Sequence, residues 1–421
     1  MKTKFDCIVI GGGFSGVAAA IAAGRAGSDV LLVEKSNALG GAATLNLVNP
    51  FMPNGTTIEK NGEREFFPLS QGLFTEIKER LEACNAIDRN GKVFHEEYLK
   101  LILNRMALEA GVTLLFNTVL TEVTRDGNTI SSVRLVSKGM SLQFEADYFI
   151  DASGDANLAQ LADLPSQLGR AKDGLSQPMT LCFRLGNVDL EAFRESRASI
   201  NPLYQAFQAE GKITNPRENV LIFFHQVRDV LHFNSTRIVK RNPVDPFDVT
   251  QAEIEAREQV FELFDFLKEH IDGFQNADLL STASEIGVRE SRKIEGEYLL
   301  TEDDLVKCTR FEDSIALGNY DIDIHNPEGS GTSHYYFPAG EYYTIPYRIM
   351  IPRGMTNLLV TGRCVSATHE AQASIRILPI VACLGQAAGE AVALAQEDHR
   401  SVQAIDIKVL QERLQANGAV L

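Results

Sequence analysis

Gly11, Gly13 and Gly16 make a G-x-G-x-x-G directly after the β-branched run Ile8, Val9, Ile10. Glycines in that order do one kind of chemistry, which is to hold the pyrophosphate of a dinucleotide. The first allows a tight turn, the second lets backbone N–H groups approach the phosphates, and the third lets the following helix pack close to the strand. The helix they open presents unpaired N–H groups and a partial positive charge. Glu34 ends a second apolar run eighteen residues after Gly16, close to the spacing of about 20 at which an acid accepts hydrogen bonds from a ribose diol. An acid there disfavours a 2′-phosphate.

Other residues offer further chemistry, each with a plainer alternative. Arg289 and Arg292 flank Glu290 and Ser291. Two guanidiniums at that spacing clamp a carboxylate, or they pair with Glu285, Glu290, Glu295 or Glu297. Asp321, Asp323 and His325 have a spacing that suggests a metal, but alternation equally puts them on one face of a strand, and no metal is expected. The tyrosine-rich stretch 334–348 either lines a cleft for a flat or sugar-like substrate or packs a domain junction.

The elements that must position these residues are legible in outline. Residues 17–26 are alanine-rich and read as a helix stopped by Gly27. A strand follows over 28–33. An irregular stretch from 44 to 90 contains the helical pattern of Leu73, Ile77 and Leu81, and residues 95–110 form a clearer helix. Strands are expected over 112–116 and over 119–136, around the turn Asp126-Gly127. From about Gln167 the character changes, with strands near 178–190 and 221–227. Thr250 and Glu253 read as a capping box heading a helix whose Val260, Phe264, Leu267 and Ile271 share a face, ended by Asp272-Gly273.

Gly40-Gly41, following the acid, resembles the N-terminal motif of flavoproteins with the glutathione-reductase-like FAD fold. The segment 358–395, LLVTGRCVSATHEAQASIRILPIVACLGQAAGEAVALA, resembles the closing motif of FAD-dependent oxidoreductases loosely related to fumarate reductases. Residues 148–162 resemble that family's middle FAD motif, and 287–301 and 318–329 its substrate-domain segments. The resemblance implies an α/β fold: a Rossmann-type FAD-binding domain with a β-meander, into which an α+β substrate domain is inserted. The implied division is 1–166 and 345–421 for the FAD domain and 167–344 for the substrate domain. It implies FAD as cofactor, held by Gly11, Gly13, Phe14, Ser15, Gly16, Glu34, Lys35, Gly40, Gly41, Ala42, Thr44, Val119, Ala152, Ser153, Gly154, Asp155, Gly362, Arg363, Ser374, Ile375 and Ile377. Val119 would touch the adenine through its backbone.

The implied activity is hydride transfer between a small organic substrate and the flavin, with Arg289, Arg292, His369 and Arg376 as catalytic candidates. The last helix, opened by Pro379, would turn its N-terminus to the ring. Arg376 would add charge there, or pair with a carboxylate across the domain junction. His369 is a proton-exchanging group, a structural donor, or a covalent flavin attachment. Cys364 is a second attachment candidate or a buried small hydrophobe. Two rival functions stand beside this one. A flavin monooxygenase using NAD(P)H and oxygen usually carries an Asp after the late glycine, whereas here Gly362 precedes Arg363. A flavin-bearing electron-transfer subunit is the other.

Composition narrows the rest. A net charge of -16 disfavours a nucleic-acid partner, because contact would begin with phosphate repulsion. The 44% apolar content over 421 residues suits a packed enzyme of more than one core. No charge-free apolar run reaches the ~18 residues of a membrane span. The N-terminal apolar run is short and enters the glycine turn at once, so no signal peptide is expected and the location is cytoplasmic. Six cysteines are scattered without C-x-x-C or metal-type clustering.

Overall fold

The computed structural model describes residues 2–60 and 62–421. Strand Lys4–Ile10 turns Cys7 and Val9 to one apolar layer and Ile8 and Ile10 to another, as a β-branched run buried on both faces must. Val30–Val33 lies parallel to it, Cys7 opposite Val30 and Ile10 opposite Val33. Thr113–Leu115 extends that side, and Met140–Asp151 runs parallel on the other, Ile10 opposite Asp151. Val119–Asp126 and Thr129–Ser137 continue the sheet as an antiparallel meander. Leu358–Val360 pairs in parallel with the end of Met140–Asp151, so the late part of the chain re-enters the same seven-stranded sheet. The architecture is mixed α/β around a Rossmann-like parallel sheet.

Helix Phe14–Arg25 packs on this sheet and stops before Gly27, whose φ of 97° is the left-handed region that a side chain resists. Helix Leu378–Glu397 lies against it, buried from Leu378 through Ala395. It is long and apolar enough to cross a membrane, but it sits wholly inside the core.

A second core gathers residues 179–286. Its antiparallel sheet runs in the order Ile222–Phe224, Leu231–Phe233, Phe183–Gly186, Asp278–Thr282, covered by helices Leu190–Ala209 and Pro246–His270. The second helix starts earlier than the Thr250–Glu253 capping box implied. Asp245 caps it, accepting from Phe247 N at 2.9 Å and Asp248 N at 3.0 Å, with Pro246 in the first turn. An Asp cap followed by Pro is the stronger start. Thr250 instead turns its hydroxyl to Pro246 O, and Glu253 accepts from Ile286 N.

The chain also rejoins the first core earlier than the boundary at Ile345. Leu300, Leu305, Ile315, Ile322 and Tyr343 already pack there. Strand Ser314–Gly318 pairs with Tyr343–Pro346 and leans on helix Leu378–Glu397. A short strand reads the same whichever core covers it.

Glu96, at the head of helix Glu96–Glu109, joins the two units. It takes both terminal nitrogens of Arg184 from strand Phe183–Gly186, Nη2 at 2.7 Å, and His225 Nε2 lies 3.4 Å away. In the same second-unit sheet His232 is 1% exposed, and neither ring nitrogen has a partner among the described residues. Burial first, then the charges of Arg184 and His225, push its pKa down to about 3. The unfolded chain therefore binds more protons below the ordinary value of about 6.5, and stability falls as pH drops from there toward about 3. At pH 5 this one ring removes about 2 kcal/mol relative to pH 8. His232→Phe, which needs no hydrogen bond, should flatten that limb. Urea midpoints of both proteins at pH 5 and pH 8 check it, and an unchanged pH difference would refute the assignment.

Candidate cofactor and substrate cleft

A cleft of about 730 Å³ runs from the glycine turn of the first unit to the sheet of the second, within the usual ~300–1,000 Å³ of ligand sites. At the glycine end Gly11, Gly13, Phe14 and Ser15 line it, with Glu34, Lys35, Gly41, Ala42, Ala152, Ser153, Gly154, Asp155, Gly362, Arg363 and Ile377. Strand ends deliver them: Lys4–Ile10 the turn, Val30–Val33 the acid, Met140–Asp151 the middle segment and Leu358–Val360 the late glycine. Glu34 accepts from Gly12 N at 2.6 Å and Ser36 N at 2.8 Å. Arg363 Nη2 donates to Asp155 Oδ1 at 2.6 Å, and Lys35 pairs with Glu285 at 2.7 Å.

Six residues expected at the cofactor do not line the cleft. Gly16 lies beneath it, where a Cβ would stand 1.9 Å from Gly11 O. Gly40 shapes the second turn, its N–H donating to Gly12 O at 2.8 Å. Thr44 donates to Leu39 O at 2.6 Å. Val119 is 51% exposed at the start of the meander. Ser374 is buried on Tyr343 OH and Tyr320 O, and Ile375 is core.

Of the catalytic candidates, Arg289 and Arg376 reach the cleft and Arg292 and His369 do not. Arg292, three residues further on at the start of strand Arg292–Ile294, donates to Asp155 O at 3.0 Å and Asn157 Oδ1 at 3.3 Å. The two guanidiniums take different partners, Arg289 those of the second unit and Arg292 those beside Asp155, so the pair forms no clamp. His369 opens helix His369–Ile375 and gives Nδ1 to Glu290 Oε2 at 2.7 Å, in a buried group with Lys293. This supports the structural-donor reading. Cys364 is also buried outside the cleft, its thiol raised to about 12 by burial.

The far end of the cleft is polar. Arg376 reaches Asp323 O at 3.3 Å and Oδ2 at 3.5 Å. Arg289 donates to Pro178 O at 2.7 Å and Thr180 Oγ1 at 2.6 Å. His325 Nε2 lies 3.3 Å from Asp323 Oδ2, and its Nδ1 takes Arg237 Nη2 at 3.1 Å, partners that fix the neutral tautomer. Burial and the charge of Arg289 hold this imidazole near 3, against the pull of Asp323. Burial would raise the Asp323 carboxyl, but His325, Arg376 and Arg289 hold it well below its ordinary value. Asp321, Asp323 and His334, rather than His325, bring ligand-type atoms within 4.8 Å of one another.

The family model for FAD dependent oxidoreductases matches residues 6–414. The chain belongs to the FAD-dependent oxidoreductase family. It is 29% identical over 172 residues to a digeranylgeranylglycerophospholipid reductase of Methanoculleus marisnigri, a match covering 39% of this chain and 42% of that protein. A geranylgeranyl bacteriochlorophyll reductase-like protein of Thermoplasma acidophilum superposes with a TM-score of 0.46 at 12% identity, over 100% of this chain and 85% of the other. p-Nitrophenol 4-monooxygenase of Pseudomonas putida gives 0.46 at 11%, over 99% and 89%.

The oxidoreductase's residues fit FAD. Helix Phe14–Arg25 begins at Gly13 with no side-chain cap, and a Cβ there would meet nothing within 4 Å, which leaves N–H groups and room for a pyrophosphate. Helix Leu378–Glu397 is likewise uncapped at Ile377, and Ile377, Leu378 and Val381 face the cleft. Helices Leu190–Ala209, Pro246–His270 and Ile407–Ala416 carry Asp caps. The two open helix ends that line the cleft are those the resemblance assigns to the pyrophosphate and the ring.

Sequence reasoning missed Arg217, Arg237, Tyr320 and Cys182. Arg217 and Glu218 are adjacent in an irregular stretch that shows no periodicity, and Arg217 is 4% exposed. Cys182 lines the cleft with its thiol raised to about 11 by burial. Only the polar flanks of the 178–190 strand hinted that this segment faces something other than core.

Proposed function

We propose that this oxidoreductase binds FAD in the cleft and moves a hydride between a small organic substrate and flavin N5. The continuity of one cleft from the glycine turn to Arg289, Arg376 and Asp323 carries this reading. In the same reading the unit around residues 179–286 is the inserted substrate domain of a glutathione-reductase-like flavoprotein. The enzyme works in the cytoplasm, which six unpaired cysteines support.

Bound FAD supplies two-electron chemistry at N5. The chain's own residues orient and exclude. The open end of helix Leu378–Glu397 and the Arg376 guanidinium favour negative charge beside Ile377. Tyr320 keeps its hydroxyl proton, its pKa raised by burial and then by Asp323, and donates to Asp323 Oδ2 at 3.3 Å. His325 stays neutral and supplies no proton near pH 7.

The test begins with the visible spectrum before and after acid precipitation. A yellow supernatant is expected, since His369 and Cys364 lie outside the cleft. A yellow pellet would contradict non-covalent binding, and a protein that takes up no FAD would end the reading. Anaerobic bleaching by hydroxy acids, sugars or cyclic ketones then reads hydride transfer. Flavin oxidation by NAD(P)H and oxygen only with an aromatic substrate would instead establish a monooxygenase. Glu34→Ala should weaken FAD roughly 10- to 100-fold, the worth of a charged hydrogen-bond acceptor. Reconstitution titrations measure it, and unchanged affinity would remove Glu34 from the ribose.

A further inference from the structure

We propose that the second-unit end of the cleft holds an oxyanion subsite built by Arg217, Arg289 and Arg376, and that the substrate carries a carboxylate- or phosphate-type group. The word substrate rests on the function proposed above; the subsite does not.

Four guanidiniums gather at this end, those of Arg217, Arg237, Arg289 and Arg376, and two carboxylates answer them, the half-buried Glu218 and the buried Asp323. Arg237 is paired with a carboxylate, giving Nη1 to Gly331 O at 2.9 Å and Nη2 to His325 Nδ1, with Glu218 3.2 Å away, although its buried Nε has no partner among the described residues. Glu218 also accepts from Gly331 N and the Thr332 hydroxyl, both at 3.1 Å. Asp323 takes His325, Tyr320 and the edge of Arg376. That leaves Arg217 and Arg289 with no carboxylate at ion-pair distance among the described residues. Arg289 rests on neutral oxygens alone, those of Pro178, Thr180 and Asn234. Arg217 donates Nε to Asn219 Oδ1 at 3.2 Å, while its buried Nη1 has no hydrogen-bond partner among the described residues.

A buried guanidinium with an unmet N–H is costly unless something answers it. Holding the units together does not explain these two. The side-chain partners of Arg217 and Arg289 all lie within residues 178–234, inside the second unit. The charges also oppose one another: burial, then Arg376 and Arg217, push Arg289 down to about 9. An oxyanion among them would relieve that repulsion and supply the missing acceptors. The FAD pyrophosphate is not that anion, because its place is at the Gly11–Ser15 turn. A metal ion on Asp321, Asp323 and His334 would face the same surplus of positive charge.

The experiment titrates flavin-loaded protein calorimetrically with malonate, with inorganic phosphate and with neutral malonamide at constant ionic strength, and follows the melting temperature. Saturable 1:1 binding of malonate or phosphate without malonamide binding is expected, and whichever anion binds more tightly names the class. Arg217→Gln and Arg289→Gln should each weaken the anion about tenfold or more, with Arg217→Lys between them and wild type and Arg134→Gln, on the exposed meander, unchanged. If the glutamine variants do not fold, Arg217→Lys and Arg376→Gln carry the comparison. Equal binding of malonamide, no anion binding, or affinities unaltered by every cleft variant would overturn the subsite. Yellow protein blind to both anions fails the subsite alone, and colourless protein that still binds them fails only the flavin reading.

Discussion

Gly385→Val should destabilise the protein by about 3 kcal/mol or more and strip it of flavin. A Cβ at Gly385 would stand 2.0 Å from Ser15 O, and one at Gly389 would stand 2.2 Å from Ala19 O. Helices Phe14–Arg25 and Leu378–Glu397 therefore meet backbone to backbone, and no rotamer change makes room. Ser15 is one residue into the helix whose open end would hold the pyrophosphate, so pushing the helices apart moves the anion site itself. Melting temperature and the ratio of flavin to protein absorbance after reconstitution read both effects. Wild-type values in both would show that the helices separate without consequence.

Glu96→Ala should cost about 3–5 kcal/mol, the usual penalty for leaving one partner of a buried ion pair alone. Glu96 and Arg184 are 5% and 7% exposed, and they tie the Rossmann-like unit to the second sheet. Burial would raise the Glu96 carboxyl, but His225 and Arg184 outweigh it and hold the group well below the carboxylate range. Its contribution is thus present above the unfolded value of about 4.3 and is lost as pH falls below it. The double variant Glu96→Leu/Arg184→Leu should recover much of the loss, because it removes both charges. A double-mutant cycle on urea midpoints decides it. A single variant within 1 kcal/mol of wild type would show the pair to be solvated.

The glycine-turn half of the cleft was legible because its determinants are local. A turn needing Gly11 at φ 103°, a helix N-terminus two residues later and an acid closing the next strand all fall within 34 residues. The second-unit half was not. Arg289 and Arg292 look equivalent in sequence, but the fold brings one against Pro178 and Thr180 in the cleft and the other against Asp155. His369 lies in the late motif yet turns to Glu290, 79 positions away.

By itself the sequence determined the glycine turn, the acid, the meander and the Pro379-opened helix, since each follows from backbone sterics and hydrophobic period within a short span. Only the tertiary structure decided that Gly385 and Gly389 are contact points rather than flexible joints, that Glu96 meets Arg184, and that Arg217 is buried with an N–H to spare. Those facts depend on which surfaces meet after the chain has folded back on itself, and charge or glycine at one position carries no record of its partner.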